Sequence, residues 1–158
     1  LSYKNIDLNF LFTFSYGNNL WNHNRALSEH GGRLLDSRAL SACQLDRWQT
    51  PGDITNVPKL SLNNYNRQEL SRFFEDASFI RLRTLTLGYT LPVGFTNKFK
   101  VERLRVYFTG TNLLLFTRYT GADPETRIER GQDQNIQGYD FASPPTPRTV
   151  QFGLSVSL

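Results

Sequence analysis

The sequence has one cysteine, two histidines and no methionine among its 158 residues. With Cys43 alone, no internal disulfide can form. His23 and His30 have no ligand partner at a metal-binding spacing, so they read as ordinary loop histidines, and neither a metal nor another cofactor is expected. Without a methionine, Leu1 is not expected to be a translational start, and no charged-then-apolar leader opens the chain. No stretch approaches the ~20 apolar residues of a membrane helix. That excludes a helical span but says nothing of a β-barrel, whose strands are short and only half apolar. Eighteen Lys and Arg against fourteen Asp and Glu give a net charge of +4. The basic residues form no run and accompany no recognition motif, so nucleic acid is not an expected partner. Phosphate-cradling glycine loops, nucleophile elbows and internal repeats are also missing, and the chain is not expected to be an enzyme.

Strict alternation is what the sequence has. From Thr149 to the end, Val150, Phe152, Leu154, Val156 and Leu158 fall on one face of a strand. Thr149, Gln151, Gly153, Ser155 and Ser157 fall on the other. The apolar row is too large, and the opposite row too small and polar, for a core to lie on the second side. Strands of outer-membrane barrels, apolar towards lipid and polar towards a wet lumen, have this form. Near the other end, Ile6, Leu8, Phe10, Phe12, Phe14 and Tyr16 share a face, opposite Asp7, Asn9, Leu11, Thr13 and Ser15. A second strand over about 78–91 carries Ile80 and Leu82, then Leu85, Leu87, Tyr89 and Leu91. The parity slips near Arg83 and Thr84, and a β-bulge there puts both sets on one side. Leu91-Pro92 ends it. A third, over about 103–116, sends Leu104, Val106 and Phe108 one way and Arg103, Arg105, Tyr107 and Thr109 the other, with pairing interrupted over 110–112.

Between these strands lie one short connection, 93–102, with Phe95 and Phe99 on one turn of helix, and two long stretches, 17–77 and 117–148. The long ones lack periodicity and are broken by prolines. A short helix is expected over 66–74, with Leu70, Phe73 and Phe74 on one side. Sixty structureless residues do not suit a compact soluble domain, but long outer loops alternating with short turns suit a barrel. The acidic residues Asp123, Glu125, Asp133 and Asp140 do not have the spacing of a calcium loop and read as solvated surface.

Certain blocks resemble the late barrel region of SusC/RagA-type TonB-dependent transporters. They are 77–92, with Arg81, Leu82, Leu87, Gly88, Tyr89 and Pro92; 104–113, ending in Asn112 and Leu113; 116–125, with Gly121, Asp123, Pro124 and Glu125; and the ending 147–158, with Gln151, Gly153, Val156 and Leu158. Ser2-Tyr3-Lys4-Asn5, Phe14-Ser15-Tyr16-Gly17 and Arg47-Trp48 precede them in the family's order. The resemblance implies an all-β fold: the last four antiparallel strands (about 3–16, 78–91, 103–116 and 149–158) of a large transmembrane barrel, 22-stranded in the family, with two long extracellular loops and the plug domain outside this chain. It further implies a Bacteroidetes-like Gram-negative outer membrane, import of a glycan or peptide, a SusD-like lipoprotein lid, and energy from TonB acting through an N-terminal part. Asn9, Thr13, Ser155 and Ser157 would face the lumen. Family members usually end in an aromatic residue, where this chain has Leu158.

Two other readings use the same residues. A soluble carbohydrate-binding β-sandwich would present Trp21 and Trp48 as sugar platforms, but needs about seven strands where four are evident. A glycan-processing enzyme would need two positioned carboxylates, and nothing in the sequence positions Asp123 and Glu125.

Overall fold

The computed structural model describes residues 1–32, 39–61, 71–125, 128–130, 134–136 and 138–157. Among them are the strands β1 (Ser2–Tyr3), β2 (Ile6–Ser15), β3 (Asn19–Asn22), β4 (Phe74–Asp76), β5 (Phe79–Thr90), β6 (Arg103–Thr117), β7 (Ile128–Arg130), β8 (Gln134–Ile136), β9 (Tyr139–Asp140) and β10 (Thr149–Ser157), with short helices α1 (His23–Ser28) and α2 (Val93–Thr96). They form two compact units, one of residues 1–16, 78–118 and 145–158, the other of 17–77 and 119–144.

The first unit is an antiparallel sheet in the order β1-β2-β5-β6-β10. Its register follows the alternation in the sequence. Ile6, Leu8, Phe10, Phe12 and Phe14 of β2 stand opposite Tyr89, Leu87, Leu85, Leu82 and Ile80 of β5. The pairing shifts between Leu82 and Thr84, so Arg83 is the extra residue. One inserted residue reverses the parity of everything beyond it, and this is how both apolar sets of β5 reach one face. On β6 the pairing breaks at 112–113, since Gly110 and Thr111 still pair with Leu85 and Thr84. Asn112 takes a left-handed φ of 53° there. Asparagine tolerates that conformation because its short polar side chain bonds locally: Asn112 Nδ2 donates to the Pro147 carbonyl at 3.1 Å, and Arg83 Nη1 donates to Asn112 Oδ1 at 3.3 Å. The first strand is shorter than its alternation suggests. Lys4, at φ 51°, turns the chain, and Ser2–Tyr3 folds back on β2 as β1.

The second unit corrects the reading of 17–77 and 117–148 as structureless. It holds a three-stranded sheet in the order β4-β3-β9, with β3 antiparallel to β4 and parallel to β9, and a separate β7-β8 pair. The helix expected over 66–74 falls partly on 62–70, outside the described residues. Ser71–Phe73 is a 3₁₀ turn, and Phe74 already begins β4. Phe73 is buried at 1% exposure while Phe74 stands 57% exposed, so the two do not share a side. Asn22 caps α1, its Oδ1 accepting from the Arg25 amide at 3.0 Å.

β10 pairs only with β6 among the described residues, and β2 is covered on its far side only by two residues of β1. Both long edges therefore offer unpaired N–H and C=O groups, which invite association between chains. The isolated 158-residue chain is expected to fold into no monomeric, exchange-protected sheet in water. Hydrogen exchange with sedimentation would check this, and a cooperative protected monomer would refute it.

Candidate functional site

The sheet of the first unit has two unlike faces. One carries, strand by strand, Ile6 to Phe14, Ile80 to Tyr89, Val106, Phe108, Leu114 and Phe116, and Val150 to Val156. The exposed members of this surface run from 41% for Val106 to 79% for Phe152. Phe10 and Phe12 meet edge to face at 5.9 Å, and Phe108 and Phe152 lie 5.3 Å apart. The surface crosses four strands without a charged residue. Soluble monomers rarely show contiguous apolar patches beyond a few hundred Å².

The other face is mostly polar, with Leu11 as an exposed apolar residue on it. Asp7, Gly88, Tyr107 and Gly153 form one row across it, and Asn9, Thr86, Thr109 and Gln151 the next. Arg105 Nε and Nη2 reach over β5 to Asp7 at 3.0 and 2.5 Å. A Cβ at Gly88 would collide with both partners, so glycine there leaves the pair its path. Gly153 is likewise overlain by the Tyr107 ring. Thr86 and Thr109 hydroxyls bond at 3.2 Å.

In the second unit the buried centre is ionic as well as apolar. Glu75 accepts from Arg25 Nη1 at 3.0 Å, from Asn22 Nδ2 at 3.3 Å and from the Thr120 amide at 2.9 Å. Glu29 accepts from Arg25 Nε at 2.7 Å and also from Arg72. Burial alone would raise the Glu75 pKa, but the Thr120 bonds and the Arg25 guanidinium outweigh it and hold the carboxyl below its ordinary 4.5. A lowered folded-state value stabilises above the unfolded pKa and loses that stabilisation as pH falls through the folded value. Protection of the Trp21 and Ala77 amides, bonded to Gly138 and Asn18 carbonyls, is therefore expected to be flat above about pH 5. It should decline below the ordinary glutamate range, and exchange measured from pH 6 to 3 should show Glu75→Gln blunting that decline. Asp140, fully buried, accepts from the Tyr119 hydroxyl at 2.6 Å. Burial first, and this carboxylate second, push the tyrosine pKa up.

The residues singled out from the sequence do not gather into one pocket. Arg81 is buried on the polar side of β5, its guanidinium 5.8 Å from the Phe79 ring, and Leu82 is buried on the opposite side. Leu87 and Tyr89 are exposed on the apolar face. Pro92 opens α2. Leu113 folds against Gly110, where an added Cβ would sit 2.6 Å from its Cδ1. In the second unit Tyr119 overlies Gly121, Pro124 is buried, and the Glu125 amide donates to Asp123 Oδ1 at 3.0 Å. Gln151 and Gly153 lie on the polar side of β10 and Val156 on the apolar side; Leu158 and Asp133 fall outside the described residues. Asp123 and Asp140 are 3% and 0% exposed, so they are not the solvated surface their sequence setting suggests. His30 is also fully buried, its Nδ1 accepting from the Gly32 amide at 3.2 Å. His23 packs on Tyr139 and Phe141 at 5.1 and 4.9 Å. Sequence reasoning missed the Arg25–Glu29–Arg72–Glu75 network. Only Arg25 and Glu29, four apart, gave a local signal.

No family model matches the chain. Two TonB-dependent receptors of Formosa agariphila, P3 and P26, are each 35% identical to it over 99% of its length. The TonB-dependent receptor SusC of Bacteroides thetaiotaomicron is 28% identical over 100%. The RagAB peptide importer in its open-open state matches 99% of the chain with a TM-score of 0.79 and 28% identity. The chain spans about 15% of the length of these relatives, 14% to 16% in each case.

Proposed function

We infer, from a chain that resembles the C-terminal part of the SusC/RagA-type TonB-dependent receptors along nearly its whole length, that it forms one sector of the wall of an outer-membrane nutrient importer. The observation that carries this is the uncharged apolar surface across β2, β5, β6 and β10, backed by a mostly polar face. In hydrocarbon every backbone group needs an internal partner, and a sheet meets that requirement only as part of a closed barrel. The open edges of β2 and β10 then belong against further strands. The role is transport and not catalysis. Glycan or peptide is the substrate class, a SusD-like lipoprotein the lid, and TonB the energy source, acting through a part of the receptor beyond these residues.

Short connections, the β1–β2 turn and 91–102, lie at one end of the sheet, and the long ones leave from the other. On this reading the short end faces the periplasm and the unit of 17–77 and 119–144 faces the medium. Cys43, part-exposed in that unit, is expected to react with a membrane-impermeant thiol reagent on whole cells, and reaction only after lysis would invert the topology. The function itself is tested by uptake. Cells lacking the gene are expected to lose import of a labelled oligosaccharide pool or a labelled oligopeptide pool, and to recover it on complementation. Unchanged import of both pools would overturn the assignment.

A further inference from the structure

We draw no further inference here: the strongest candidate, the cross-strand row of rings Phe74, Trp21 and Tyr139 on the outer face of the β4-β3-β9 sheet in the second unit, with His23 and Phe141 beside it, carries nothing because nothing in the described residues shows what covers it.

Discussion

Phe10→Arg is expected to cost about 2–4 kcal/mol in the folding of the receptor into lipid vesicles, and Asn9→Arg, one residue away, much less. Phe10 is the third of five apolar residues along β2, opposite Leu85, which pairs in turn with Gly110 and so with Val150. That row lies midway along the apolar face. The cost of a guanidinium facing lipid is greatest at the bilayer midplane and fades towards the interfaces. Phe10 is 47% exposed with its ring against Phe12, so arginine there loses an aromatic contact and gains a charge in hydrocarbon. Asn9 is exposed on the other face, beside Thr86, where the neighbours are polar and, on the proposed barrel reading, a wet lumen would lie. Folding free energies from denaturant titration in vesicles would measure the difference. Equal costs at the two positions would remove the lipid-facing assignment. A larger cost at Asn9 would reverse the faces.

The two faces were legible because period-two alternation needs only a strand's own residues. Even the bulge could be read, since the parity of Ile80 and Leu82 against Leu85, Leu87 and Tyr89 leaves one residue too many. What the sequence could not show depends on partners far along the chain. Gly88 owes its place to Asp7 and Arg105, which are 98 residues apart. The second unit was invisible for a related reason. Its strands are four, three and two residues long, too short for any period to show. Its parallel pairing joins Trp21 to Tyr139 across most of the chain. Asp123 and Asp140 looked like surface because composition cannot distinguish a solvated carboxylate from one that a tyrosine hydroxyl or a backbone amide accompanies into the interior. The boundary between Phe73 and Phe74 was lost as well: a helical side was assumed where a 3₁₀ turn passes straight into a strand.

That boundary gives the second large effect. Phe73→Ala is expected to destabilise the unit of 17–77 and 119–144 by about 3–5 kcal/mol, whereas Phe74→Ala should cost only about 0.5–1.5. Phe73 is 1% exposed, meets the Trp21 ring edge to face at 5.9 Å, and lies under the Arg72 and Arg25 guanidinium groups at 4.9 and 6.0 Å. Alanine there removes a ring from a closed site and leaves a cavity beside two cations that also hold Glu29 and Glu75. The ion pairs keep these groups in place, so the cavity cannot collapse cheaply. Phe74 is 57% exposed and touches Trp21 from the open side at 4.8 Å. Its loss removes one aromatic pair and buries nothing unsatisfied. Local opening has its own free energy, and exchange of the Trp21 and Ala77 amides reports it. At 1.36 kcal/mol per power of ten, protection of those amides should fall between about a hundredfold and a few thousandfold in Phe73→Ala, and little more than tenfold in Phe74→Ala. Phe73→Leu, which keeps much of the volume, should fall between the two. If both alanine variants lose protection equally, residues 71–74 pack as one helical side after all, and the 3₁₀-to-strand boundary at Phe74 is misplaced.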